Sequence, residues 1–175
     1  VIACRAGTAA EAFAQANGNE IEYFSTVPEG LAYSIANGAC TITQYIGSAA
    51  EVVIPETIEG VPVTAIANNA FANCAAITNV SLPSGLTSIG EYAFSNCENL
   101  GSVTVSQSAA RVARWAISYS AAGSVTLPAG ITRIENGVFH GCPALGNPVI
   151  PNGVTYIGAE AFSGCTGISE ISLPE

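Results

Sequence analysis

Six cysteines, one histidine and 13 acidic residues are the groups in this 175-residue chain with the means to ligate, react or carry protons. Cys74, Cys97, Cys142 and Cys165 stand 23, 45 and 23 residues apart, which is no paired-ligand spacing for zinc. An even cysteine count in a secreted chain suggests disulfides. Yet these four occupy one equivalent slot of a recurring phrase, so their Cβ vectors run parallel instead of facing one another. Free buried thiols are therefore the favoured reading, each small enough for a tight turn and able to donate weakly to a backbone carbonyl. Cys4 and Cys40 each lie two residues from an isoleucine (Ile2, Ile42) on one strand face, and read as buried thiols too. His140 falls at a variable slot of Phe139-His140-Gly141-Cys142 and reads as a solvated surface residue. All 13 acids are Glu and all four bases are Arg. Without Asp there is no Ser-His-Asp triad and no EF-hand, and without Lys there is no P-loop. A Glu-based triad would need a nucleophile brought to His140 from another part of the chain. Glu91, Glu135 and Glu160 form a sparse acidic column that solubility explains equally well. No catalytic, metal or cofactor residue is assigned, and an enzyme is the least favoured reading.

The elements that position these residues are repeats. Ala70-Phe71-Ala72-Asn73-Cys74 returns as Ala93-Phe94-Ser95-Asn96-Cys97, as Val138-Phe139-His140-Gly141-Cys142 and as Ala161-Phe162-Ser163-Gly164-Cys165. A fixed period near 23 residues is the signature of a solenoid. Each clear copy opens with Pro, then places apolar residues three and six positions on, before the Phe and the Cys. Pro83 leads to Leu86, Ile89, Phe94 and Cys97, and Pro128 and Pro151 lead to matching sets. The gap of 45 hides a worn copy starting at Ser106, with Ala109, Val112, Ile117 in the Phe slot and Ser120 in the Cys slot. The first repeat starts at Pro55 and carries five extra residues, Glu59 to Val63. The array thus counts five repeats over 51–175.

Between each Cys and the next Pro the chain alternates, as in Val80-Ser81-Leu82, with apolar residues inward and polar ones outward. Stacked copies pair these short strands into a parallel sheet, and the Pro ends each strand by removing a donor. A Gly-containing turn follows, then a second short extended piece such as Leu86–Ile89. Ala-Phe-x-x-Cys then forms a helical turn with its Phe plugging the interior. In the worn layer Ile117 is smaller than Phe, so Trp115 or Val112 is expected to shift inward and the layer to be looser.

The phrase Ile-x-Leu-Pro-x-x-Leu-x-x-Ile-Gly-x-x-Ala-Phe-x-x-Cys, seen over Val80–Cys97 with Val80 in the first Ile slot, closely resembles the BspA-like leucine-rich repeat family of bacterial cell-surface and secreted proteins. The entry segment Glu51–Ile66 also resembles the way such arrays begin. The resemblance covers about residues 30–175 and departs from the pattern at 106–123. It implies a solenoid of leucine-rich repeats, mostly short β-strands with short helical turns.

Residues 1–26 read as a separate tail or cap. Gly7 to Gly18 forms a short Ala-rich helix with Thr8 and Glu11 as a capping box and Gly18 as the stop. Val1–Cys4 and Ile21–Phe24 flank it as strands, giving a small α+β N-terminal cap. Residues 27–50 lead into the array through a hairpin over 31–46 that turns at Asn37-Gly38 and covers the first repeat's edge. There is no initiating Met and the chain stops where another repeat would begin, so a fragment of a larger protein is expected.

The formal net charge is −9. An acidic chain with four scattered arginines offers no phosphate stripe, which argues against nucleic acid and against anionic membrane surfaces. No apolar run is long enough to span a bilayer. The candidate binding face is the outer side of the strand ladder: Asn79, Ser81, Ser102, Thr104, Ser124, Thr126, Asn147, Val149, Glu170 and Ser172. It bears no aromatic or arginine anchor, which weakens a sugar-binding reading there. The first functional expectation, by analogy with the family, is a secreted or surface-displayed module for adhesion or protein binding, with a host or neighbouring-cell protein, or a glycan, as partner. The second is a structural spacer that presents other domains of a larger surface protein.

Overall fold

The structure, a computed structural model, describes residues 2–4, 9–18, 21–23 and 27–173. At the N-terminus β1 (Ile2–Cys4) pairs in parallel with β2 (Ile21–Tyr23), and α1 (Ala9–Ala16) connects them. Alanine is the strongest helix former, and the helix stops where Gly18 turns left-handed at φ 64°. Asn17 Nδ2 donates to Phe13 O at 2.7 Å across the last turn. Thr8, and with it the capping box, lies outside the described residues, as does the Cys4 side chain.

The hairpin forms as the sequence leads one to expect. β3 (Leu31–Ala36) and β4 (Ala39–Tyr45) are antiparallel, and the two-residue turn between them has Asn37 at φ 52° and Gly38 at φ 73°. Two successive positive φ values define the hairpin turn whose twist matches that of the strands. β4 then continues in parallel into the array, so the hairpin seals the edge of the second ladder described below.

Two parallel ladders run along the solenoid. The first consists of β5 (Glu51–Val53), β8 (Asn79–Ser81), β10 (Ser102–Thr104) and β12 (Ser124–Thr126). A parallel bridge from Val149 to Ser172 repeats the same pairing in the last two turns. The second ladder begins in the extra residues of the first repeat. Those residues fold as a small antiparallel hairpin of β6 (Thr57–Ile58) and β7 (Val61–Ile66), turning at Glu59 (φ 53°) and Gly60 (φ 75°). β7 pairs with β9 (Ser88–Ile89), which pairs with β11 (Arg111–Val112). β13 (Arg133–Ile134) and β14 (Tyr156–Ile157) repeat that pairing further along. The Glu56 carboxylate ties the insertion to the next repeat by accepting from Ser84 N at 2.9 Å and Ser84 Oγ at 3.0 Å.

The third side of each turn carries the Phe. Its segment contains i to i−3 bonds, such as Cys74 N to Phe71 O, but it does not propagate as helix. A left-handed residue stands on either side of the Phe slot in every layer: Asn69 and Asn73, Tyr92 and Asn96, Trp115 and Tyr119, Gly137 and Gly141, then Glu160 and Gly164. These residues turn the intervening N–H groups along the solenoid axis. Phe71, Phe94, Ile117 and Phe139 each donate from backbone N to the residue before the next Phe slot, at 2.7–3.0 Å. The expected helical turn is therefore a pair of tight turns stitched to the next layer, and the bonds between layers replace those of a helix.

Inside, the rings stack. Phe71 lies 5.0 Å from Phe94 and Phe139 lies 5.3 Å from Phe162, centroid to centroid. Tyr45, from the hairpin, closes the first end at 5.4 Å from Phe71. Ile117 interrupts the column yet is fully buried, with Val112, Ala113, Ala116 and Ser118 buried around it. Of the two side chains expected to fill that layer, Val112 is buried and Trp115 is not. Its left-handed backbone (φ 59°) directs the indole outward, where it lies over Gly137. Each fully buried Phe removes enough apolar surface to stabilise the fold by about 1.5–3 kcal/mol. Replacing one with Ala is costlier because a cavity remains. Phe94→Ala is expected to lower stability by about 3–5 kcal/mol in urea unfolding, and Phe162→Ala in the half-buried last layer by clearly less.

Candidate functional site

The sequence leaves two sets of residues to place: the reactive groups and the outer strand face. Among the reactive groups, Cys40, Cys97, Cys142 and Cys165 are buried, Cys74 is half-buried, and all five are free thiols. Three of the ladder thiols donate to the carbonyl of the Phe slot one layer back. Cys97 Sγ reaches Phe71 O at 3.1 Å, Cys142 Sγ reaches Ile117 O at 3.1 Å and Cys165 Sγ reaches Phe139 O at 2.9 Å. Cys74 points at Tyr45 O from 3.8 Å. Ser120, in the worn repeat, bonds instead to Ile117 O of its own turn at 2.8 Å. A hydroxyl arm is shorter than a thiol arm and does not reach the carbonyl one layer back, although Ser120 Oγ lies 3.5 Å from Cys142 Sγ of the next layer. Burial raises the pKa of every one of these thiols, that of Cys97 to about 12. A thiol held protonated in this way is neither a nucleophile nor a ready metal ligand at neutral pH.

His140 is not the solvated residue expected from its slot. Its side chain is only 20% exposed, and its ring sits 5.1 Å from the Trp115 ring and 5.1 Å from the Tyr119 ring. Nδ1 is buried and lies 3.4 Å from Glu160 Oε2 without the alignment of a hydrogen bond. The worn repeat creates this environment, because both flanking aromatics come from it. Glu91 is paired with Arg114 at 2.8 Å and Glu135 with Arg133 at 2.9 Å. Two of the three glutamates in the acidic column are therefore paired with arginines from the same surface.

The outer strand face assembles from columns in register. Asn79, Ser102 and Ser124 are neighbours, and Thr104 lies beside Thr126. Between these columns Val80 and Val103 turn inward and are buried, so the polar residues on either side must turn outward. All ten candidates on this face are exposed, including Asn147, Val149, Glu170 and Ser172. Asn147 is braced internally, since its Oδ1 accepts from Ser169 N at 2.9 Å and Glu170 N at 3.0 Å. The sequence reading missed two members. Glu51 and Val53 pair with Asn79 and Ser81 and extend the face by one strand. The signal was Ile54-Pro55, which matches Leu82-Pro83 but lies 28 residues earlier because of the inserted hairpin. Val53 and Val149, both strongly exposed, flank the hydroxyl-bearing column of Ser81, Thr104 and Thr126. A shallow open depression lies at the far end, lined by Asn147, Val149, Asn152, Glu170, Ser172 and Leu173.

Parallel ladders, a period of 22–23 residues and an inward Leu-x-x-Ile-x-Leu strand define a leucine-rich-repeat solenoid. The family model described as BspA type leucine-rich repeat region matches residues 64–175 in six copies, and the chain belongs to that family. It is similar to the crystal structure of a leucine-rich repeat protein from T. pallidum, with 30% identity and a TM-score of 0.79 over 86% of this chain and 72% of that one. It is also similar to a leucine-rich repeat protein from Bacteroides ovatus, at 26% identity and a TM-score of 0.53, covering 87% of this chain but 36% of the other. A leucine-rich repeat protein from Eubacterium ventriosum shares the fold at 17% identity and a TM-score of 0.64, over 89% of this chain and 49% of that one. A search of curated proteins finds no match.

The thiol geometry yields a test. Unfolded without reductant, the protein should titrate at least five thiols, and three or fewer would mean disulfides in the ladder. A raised thiol pKa stabilises the fold fully below the ordinary value of 9.0, and this contribution fades as pH climbs towards about 12. Thermal midpoints should therefore fall across that window, and Cys97→Ala should shallow the fall.

Proposed function

We propose that this chain is a non-enzymatic binding module of a secreted or surface-displayed bacterial protein, and that the outer strand face is where it meets a protein partner. The observation that carries this reading is the face itself. Four short strands and a bridging pair hold small hydroxyl and amide side chains in straight columns on a rigid backbone. Side chains this short lose little rotamer freedom on contact, so a partner is met at low entropic cost. Membership of a repeat family whose members display extended surfaces supports the reading by analogy. Buried, protonated thiols give no support to catalysis. Among the described residues no helix is long and apolar enough to cross a membrane.

Immobilised collagen, laminin and fibronectin, titrated with the purified chain by surface plasmon resonance, provide the test. Saturable binding to one of them that is lost in Ser102→Arg and Thr104→Arg, both exposed and both expected to alter stability by no more than about 0.5 kcal/mol, is the expected result. Binding that survives both substitutions places the contact elsewhere. No binding to any of them favours the spacer role, in which the solenoid's length is its function.

A further inference from the structure

The largest aromatic cluster on the array's surface lies away from the strand face, around the worn repeat. Trp115 and Tyr119 leave the third layer and lie flat on glycines of the fourth. A Cβ at Gly137 would fall 2.5 Å from the indole, and one at Gly141 would fall 2.7 Å from the phenol ring. The two rings straddle His140 at inclinations of 59° and 68°. Tyr92, one layer back, lies nearly parallel to Trp115, 6.3 Å away at 7°. All three aromatics occupy left-handed backbone, at φ 56°, 59° and 53°. That conformation strains bulky residues. Of the seven equivalent slots in other layers, six hold Asn or Gly (Asn69, Asn73, Asn96, Gly137, Gly141 and Gly164), which the turn accepts with less strain, and the seventh holds Glu160. The fold itself therefore does not ask for aromatics here.

Their exposure is also not what core packing would produce. Tyr119 is 53% exposed although one ring face rests on Gly141, so the opposite face is open, and Tyr92 is 40% exposed. Among the described residues the Tyr92 and Tyr119 hydroxyls and the Trp115 indole N–H make no hydrogen bond to the protein. The His140 Nδ1 is buried beside Glu160 and does not face solvent, whereas the Glu160 carboxylate is 60% exposed. Donors and acceptors thus ring an open aromatic face. Arg114 is held by Glu91, and Arg133 is held by Glu135 and lies 3.8 Å over the Tyr156 ring. The guanidiniums nearest the cluster are therefore already engaged.

We propose that this cluster is a binding site for a neutral oligosaccharide. The apolar face of one pyranose stacks on Tyr119. Its hydroxyls, each both donor and acceptor, meet Glu160, the Trp115 indole N–H and the Tyr92 phenol. Rings clamped on glycines are preorganised, so little freedom is lost on binding. An exposed carboxylate at the rim and a net charge of −9 disfavour anionic glycans.

Trp115 is the single tryptophan of the chain and so reports on the site directly. The test is titration of its emission with cellohexaose, xylohexaose, mannohexaose, maltohexaose, chitohexaose and, as the anionic comparison, a hyaluronan hexasaccharide. At least one neutral hexasaccharide should shift the emission saturably below roughly 10 mM. Tyr119→Ala should weaken that binding roughly tenfold or more, Glu160→Gln should weaken it measurably, and Thr104→Ala on the strand face should leave it unchanged. Circular dichroism and urea midpoints check that each variant is folded, and Glu160→Gln, at an exposed carboxylate, serves if Tyr119→Ala is not. The proposal is overturned if no neutral hexasaccharide saturates, if hyaluronan binds tightest, or if folded variants at both positions bind like the parent.

Discussion

The phenylalanine at the inner corner of every turn but one is sealed by the turns on either side of it. No single turn of about 23 residues can bury that ring alone. The stack of Tyr45, Phe71 and Phe94, and that of Phe139 and Phe162, therefore make each layer's stability a property of its neighbours. Backbone bonds running from each Phe-slot N–H to the next layer, and thiols reaching back to the previous one, hold the rings at that spacing. The straight columns of the strand face follow from the same stacking.

The worn repeat shows how such an array tolerates the loss of its plug. Ile117 leaves the aromatic column broken, yet small neighbours close around it and the layer stays buried. Ser120 keeps the buried donor of the Cys slot but bonds within its own turn, so the thiol strap between layers is missing there. On the outside, Trp115 and Tyr119 lie across the next layer's glycines and clasp His140. The repeat that lacks the Phe plug thus supplies two of the aromatic rings clustered on the surface.

Much of this was legible from residue spacing. Pro, Phe and Cys at constant offsets revealed the turns, alternation around Val80 and Val103 revealed the inward strand positions, and Asn37-Gly38 revealed the hairpin. These signals are local or periodic, so a single sequence carries them. The outer strand face was equally legible, except for Glu51 and Val53, which the inserted hairpin displaced from the period. Tyr45 in the Phe column was not legible, because it stands in a hairpin with no repeat pattern and reaches the column only through the pairing of β4 with β7.

The sequence by itself determined the solenoid, its period, the buried Phe and Cys slots and the polar character of the strand face. Each of these follows from side-chain chemistry repeated at one interval. Only the tertiary structure decided which way the Phe segment's N–H groups point, and so whether it became helix or a stitched pair of turns. It also decided that Trp115 points outward and that His140 is enclosed. Those outcomes depend on left-handed backbone at Trp115 and Tyr119 and on the absence of a Cβ at Gly137 and Gly141 in the next layer. A residue's neighbours across layers lie 22 or 23 positions away in the chain, and their fit is settled only when the turns stack.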